Sequence, residues 1–147
     1  MNILGIDPGI ANTGLAYRIG DTMGYRTIVT KPRKEIYFRI REVLFEIDRL
    51  TLHPWDLLVI EDFVGPLGRD TVFLIGAILG HLNAHTQILI HPKKWVKEFF
   101  GKKKDYKKAA NAWCKRNKYT PGTQHEADSL CLLEWGKKYA VKQQQKS

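Results

Sequence analysis

The chain opens on an apolar run, Ile3, Leu4 and Ile6, that stops at Asp7 and is followed by Pro8 and Gly9. A short run bounded by turn formers predicts a buried strand over residues 2–7. Pro fixes φ and Gly tolerates positive φ, so a tight turn follows. A second run over 14–19 begins after Thr13-Gly14 and completes a hairpin, and a third covers 24–30 beyond Gly20, Asp21 and Gly24. From 33 to 52 the period changes. Ile36, Ile40, Val43, Leu44, Ile47 and Leu50 recur at helical spacing with a charged opposite face, and His53-Pro54 ends the helix. Residues 56–62 form the fourth strand. Its continuous Leu57–Ile60 run predicts a central strand covered on both faces, ending in Glu61-Asp62.

A glycine- and proline-bearing loop over 63–68 leads to a helix over 69–85 that is apolar almost all round. Such a helix must be buried on two sides. The sheet supplies one side. Gly76 and Gly80, with Phe73, form a flat strip on which a second copy of the chain could approach; a wholly internal core helix is the alternative. A short fifth strand, 87–91, precedes a helix over 92–100 that starts with Pro92, a residue suited to the first turn. Residues 101–105 form a basic loop, with Asp105 placed to cap a helix over 106–118. After a break at 120–123, the last helix covers 124–141, and 142–147 form a frayed tail. The expected fold is α/β, a single domain over 1–147 with a central mixed five-stranded sheet flanked by helices.

Charge changes this picture. Residues 93–118 hold eleven basic and two acidic side chains, equal to the whole formal excess of +9; the other 13 basic residues are balanced by 13 acidic ones. A general solvated surface does not concentrate charge in this way, whereas a polyanion-facing patch does. A lysine-rich solvated face is the plainer reading, and an anionic membrane surface fits less well because no strongly apolar helix face accompanies the lysines. Cys114 and Cys131 lack metal-ligand spacing and read as reduced thiols. Met1 leads into a strand rather than a basic and apolar leader, and no apolar run approaches the roughly 18–20 residues of a membrane span. The expectation is a cytoplasmic protein with no membrane partner.

The candidate chemistry lies in carboxylates. Asp7 and Glu61 each end a strand, where sites gather in α/β sheets, and they meet if the first and fourth strands are parallel neighbours. His125 and Asp128, three apart on the last helix, share a face, while Glu126 points elsewhere. Ala127, Leu132 and Trp135 would pack that helix on the sheet and deliver His125 and Asp128 to the strand ends. Singly, each feature reads as a turn-initiating Asp or a surface His–Asp pair. Together they form one site. Clustered carboxylates repel unless cations sit between them, and hard oxygen ligands favour Mg2+ or Mn2+. Two ions about 4 Å apart can activate a water and stabilise a departing oxygen in phosphodiester hydrolysis. Asp7 would bridge them, Glu61 and Asp128 would hold one each or share, and His125 could ligate or carry a proton.

Ile6-Asp7-Pro8-Gly9 with Thr13-Gly14, Ile60-Glu61, the Gly76/Gly80 helix and His125-x-x-Asp128, in this order and at these separations, resemble the RuvC family of Holliday junction resolvases over nearly the whole chain. The resemblance implies an RNase H-like fold and a metal-dependent catalytic set of Asp7, Glu61, His125 and Asp128. It also implies a homodimer that binds four-way DNA junctions and nicks two strands symmetrically, with no small-molecule cofactor. The short length resembles a compact, phage-type version acting in a bacterial or phage-infected cytoplasm. Many family members carry an aromatic residue three positions after the strand-four Glu; here that position is Val64, and Phe63 is two after. DNA contacts are expected from Phe63, Arg69, Lys102, Lys103, Lys104, Lys107 and Lys108. Three other readings compete. One is an RNase H-like nuclease acting on RNA, as in the YqgF-like branch. Another is a non-catalytic junction-binding protein. The third, a sugar-kinase or actin-like nucleotide-binding half, would need a second half that 147 residues cannot supply.

Overall fold

Strands β1 (Ile3–Asp7), β2 (Asn12–Ile19) and β3 (Thr22–Val29) form an antiparallel meander. Helix α1 (Ile36–Asp48) then leads to β4 (Trp55–Glu61), and α2 (Arg69–His81) leads to β5 (Ala84–Ile90). Three helices complete the chain: α3 (Pro92–Phe100), α4 (Tyr106–Arg116) and α5 (Gln124–Gln144). The computed structural model describes residues 1–32, 34–50, 54–63, 65, 68–101 and 105–144. The sheet order is β3-β2-β1-β4-β5, with β4 parallel to both β1 and β5. The mixed five-stranded sheet and the parallel pairing of the first and fourth strands therefore match the sequence expectation.

Two cores cover the two faces of the sheet. Successive strand side chains point to opposite faces. Ile3, Leu57 and Val59 thus join Trp95, Ala110, Cys114 and the inner face of α5, while Leu4, Ile6, Leu58 and Ile60 join Val43, Ile47, Leu74 and Ile78 of α1 and α2. Cys114 and Cys131 lie in the first core, buried and unbridged. No helix among the described residues is long and apolar enough to cross a membrane.

Several boundaries differ from those the pattern predicts. Helix α2 ends at His81, not at 85, because Leu82 turns extended (φ −80°, ψ 128°), and β5 begins at Ala84, not at 87. The carbonyl of Asn83 accepts from Trp55 N at 3.0 Å and Ala84 pairs with Trp55, so sheet pairing cuts the helix short. Strand β2 starts at Asn12 because its ladder with β3 reaches Asn12↔Val29. Helix α1 starts at Ile36 without a side-chain cap; the expected ends at 33 and 52 lie outside the described residues. Helix α4 ends at Arg116, before the left-handed backbone of Lys118 (φ 63°). Helix α5 continues through the expected frayed tail to Gln144, consistent with the good helix propensity of Lys and Gln; residues 145–147 lie outside the described residues.

Only one face of α2 is covered. Thr71, Leu74, Ile75 and Ile78 are buried, whereas Val72 and Phe73 are 54% and 53% exposed, and Gly76 and Gly80 face open space. The second covering that its all-round apolarity predicts is not supplied by the described residues of the same chain.

Candidate active site

Parallel pairing of Ile6 with Ile60 brings the C-terminal ends of β1 and β4 side by side, so Asp7 and Glu61 leave the sheet at the same end. At Asp7 the chain turns through Pro8-Gly9 and returns along β2, and the hydroxyl of Thr13 donates to the Gly9 carbonyl at 2.9 Å to close that turn. The N-terminal end of α5 lies over these strand ends. Its approach is close because two glycines permit it. A Cβ at Gly5 would collide with backbone at Ser129 and Leu133, and one at Gly14 would collide with the backbone of His125. The start of α5 is held by Thr123 and Glu126. The Thr123 hydroxyl accepts from Glu126 N at 3.1 Å, and the Glu126 carboxylate accepts from Gly122 N at 2.7 Å, a reciprocal arrangement of the capping-box kind. This use of Glu126 fits its expected orientation away from the site.

The four predicted residues lie at this end of the sheet, with one direct contact among them, and the Asp7 and Asp128 charges both act on Glu61. His125 Nδ1 lies 2.6 Å from Asp7 Oδ2. With Nδ1 carrying the proton toward Asp7, Nε2 is the nitrogen left for a proton or a ligand. Asp128 is 8% exposed, and its Oδ1 accepts from Gln124 Nε2 at 2.7 Å; Gln124 Oε1 in turn accepts from Asn111 Nδ2 at 2.7 Å. Glu61 Oε2 accepts from the indole N–H of the fully buried Trp95 at 2.5 Å.

Electrostatics mark the site as short of positive charge. Burial, reinforced by the Asp7 and Asp128 carboxylates, pushes Glu61 up to about 8, against the opposing hydrogen bond from Trp95. Burial also raises Asp128 to about 6, with Gln124 pulling the other way and Asp7 adding to the rise. The hydrogen bond to Asp7 raises His125, opposed by burial and by the Lys107 charge. Tyr106, at the start of α4, is raised by burial and by the same three carboxylates.

Each acid thus engages a protein donor, and among the described residues no three His, Cys, Asp or Glu side chains stand close enough together to hold a metal ion as they are placed. The donor set nevertheless suits a hard divalent cation: carboxylates raised by mutual repulsion and burial gain most from one.

The other predicted residues are distributed as follows. Lys107 and Lys108 are exposed on the first turn of α4; the charge of Lys107 reaches His125 and Asp128, and Lys108 Nζ is 3.6 Å from Asp105. Asp105 caps α4 as expected, accepting from Lys108 N at 3.1 Å. Phe63 is half-buried, with its ring over Gly68, and Arg69 is exposed, its guanidinium over the Phe73 ring at 5.9 Å. Lys102, Lys103, Lys104 and Val64 lie outside the described residues.

No protein-family model matches the chain, nor does any curated protein sequence. Solved structures do. Thermus thermophilus RuvC superposes with a TM-score of 0.70 at 19% identity, covering 97% of this chain and 96% of that one. T. thermophilus RuvC in complex with a Holliday junction substrate gives 0.68 at 18% identity, with the same coverage. The fowlpox virus resolvase, in complex with Holliday junction DNA, gives 0.57 at 17% identity over 97% of this chain and 98% of that one. The chain has the fold of RuvC. This RNase H-like fold spans nearly the whole sequence, and the Asp7, Glu61, His125 and Asp128 cluster sits at the strand ends of that RuvC-like sheet.

Sequence reasoning missed Trp95, Gln124, Asn111 and Tyr106. A Trp in an amphipathic helix reads as core, and nothing local marks its N–H as aimed at a carboxylate. The Thr123-x-x-Glu126 spacing did carry a readable signal for the start of α5.

Proposed function

We propose that the protein is a divalent-metal-dependent endonuclease that binds four-way DNA junctions as a homodimer and resolves them by paired nicks. The observation that carries this reading is the convergence of Asp7, Glu61, His125 and Asp128 at one end of the sheet, with Glu61 and Asp128 pushed up by burial and mutual repulsion. The fold it shares with RuvC and the fowlpox resolvase, both crystallised with Holliday junction DNA, supports the choice of substrate.

Asp7, Glu61 and Asp128 would hold Mg2+ or Mn2+. A bound pair of such ions supplies water activation and neutralisation of charge on the departing oxygen. Asp7 orients the His125 ring through Nδ1 and leaves Nε2 to ligate or to hold a proton. Lys107, whose charge reaches His125 and Asp128, and the exposed Lys108 next to it would hold the phosphates flanking the cut. Arg69, Phe63 and the 102–104 lysines would extend that contact.

The dimer would form across the exposed face of α2. Phe73 offers apolar area, and Gly76 and Gly80 allow close approach. A two-fold axis there gives two sites, one for each strand of a symmetric junction. The molecule would act as one nuclease domain in the cytoplasm of a bacterium or a phage-infected cell.

The test is a Mg2+-dependent cleavage panel of four-way junction, duplex DNA, single-stranded DNA and RNA–DNA hybrid. The junction should be cut at symmetric positions on opposed strands and the other substrates far more slowly. Preferential cleavage of the hybrid would replace this reading with a ribonuclease. Junction binding without any cleavage would replace it with a binding protein.

A further inference from the structure

We propose that Trp95 is a positioning residue, whose indole N–H fixes Glu61 so that a single carboxylate oxygen is presented to a divalent cation. The inference rests on the reading of Glu61 as a metal ligand.

The geometry is specific. Nε1 of Trp95 donates to Oε2 of Glu61 at 2.5 Å, and no other side chain among the described residues donates to that carboxylate. Oε2 is thereby occupied, and Oε1, which accepts no hydrogen bond from the described residues, is the oxygen left for a cation. The donor cannot easily turn away. Trp95 is 0% accessible, is the sole buried residue of α3, and has its ring centroid 6.1 Å from that of Phe100. Its register is set upstream, where Pro92 opens the helix and the His91 ring accepts from Lys93 N at 3.1 Å.

The other two acids are held differently. The partners of Asp7 and Asp128 are His125 and Gln124, both partly exposed and able to rotate off when a cation arrives. A buried indole has no such freedom. Rotating it would leave an N–H unpaired in an apolar core, which is unfavourable. Trp95 and Glu61 therefore satisfy each other: the indole needs an acceptor, and the carboxylate needs an orientation.

The test removes the N–H and keeps the ring. Trp95→Phe is one variant. The isostere 3-benzothienylalanine at position 95, in which sulfur replaces the N–H, is the second and decides the matter if Trp95→Phe folds poorly. Mn2+ binding to the full chain is measured by electron paramagnetic resonance, independently of cleavage. Both variants should bind Mn2+ about 10-fold more weakly or worse, the range seen when partners of metal ligands are removed. Their junction affinity in chelator should be unchanged, and excess Mn2+ should restore cleavage. In a Glu61→Gln background the change at 95 should have no further effect. Wild-type Mn2+ affinity in the isosteric variant, with Glu61→Gln impaired, overturns the positioning role alone. Wild-type affinity in Glu61→Gln overturns the reading of Glu61 as a ligand, and the inference with it.

Discussion

Among the described residues the Asp7 side chain has one hydrogen-bond partner, the His125 ring, which cations would displace under the proposed reading. Asp7→Asn keeps the shape and loses the charge. Junction cleavage should fall at least about 100-fold, the scale of losing a major electrostatic stabiliser, while junction binding in Ca2+ stays intact or tightens. Single-turnover cleavage beside a binding assay separates the two; near-wild-type cutting would remove Asp7 from the mechanism. Glu61 carries a second prediction at this scale. Its folded value of about 8 lies above its ordinary 4.5, so the folded state binds more protons than the unfolded chain between those values. Its contribution to stability is complete below about pH 4.5 and is lost as pH rises toward about 8, with a slope of at most about 1.4 kcal/mol per pH unit. Asp128, raised to about 6, acts in the same direction below that pH. Thermal melts of metal-free protein should therefore weaken from pH 5 to pH 8. Glu61→Gln should flatten most of that slope, and Mg2+ should stabilise wild type more at pH 8 than at pH 5.

Two helices do most of the placing. Helix α5 reaches the strand ends because Gly5 and Gly14 let its backbone lie against the sheet, and the Thr123/Glu126 cap fixes where it begins. Helix α2 leaves Val72 and Phe73 exposed, and this is the face across which the proposed dimer would form. In Gly80→Arg the new Cβ meets no atom of the protomer, and Gly-to-Arg in a helix gains roughly 0.6–1 kcal/mol of propensity. The protomer should therefore fold as well as wild type and sediment as a monomer, with the paired cut replaced by single nicks. A wild type that is monomeric at high micromolar concentration, with and without junction DNA, would remove the dimer. The boundary between α2 and β5 makes a related point. Apolar periodicity carries the helix to 85, but pairing of Ala84 with Trp55 claims those residues for the sheet. Tertiary hydrogen bonds outweigh local propensity where the two compete.

At the scale of the whole molecule, the charge asymmetry becomes a placement. The basic stretch is carried by α3, α4 and the segment between them, and the charge of its first α4 lysine, Lys107, reaches the acidic site. Attraction for a polyanion and repulsion from the carboxylates would therefore meet at one end of the sheet, a conflict that divalent cations would relieve. Each phosphate neutralised contributes a slope of about 0.9 in log K against log salt. Replacing Lys107 and Lys108 by Ala should weaken junction binding and lower that slope by about two, measured by fluorescence anisotropy across a salt series. An unchanged slope would place both lysines off the DNA.

The sequence by itself determined the layers, the strand order of apolar runs, both strand-end carboxylates, the His125/Asp128 face and the location of the net charge. All of these follow from periodicity, turn chemistry and spacing, which are local. The continuous Leu57–Ile60 run even specified a strand buried on both sides, because no other environment suits it. Tertiary structure alone decided the rest. That Asp7 and Glu61 are neighbours depends on parallel pairing of strands far apart in sequence, and that His125 reaches Asp7 depends on two glycines yielding room to α5. The donors Trp95 and Asn111 were illegible for the same reason, whereas Gln124 lies one helical turn before Asp128, a spacing open to reading. A hydrogen bond between side chains 34 residues apart, as from Trp95 to Glu61, leaves no periodic trace, because its geometry exists only after the helix has docked on the sheet.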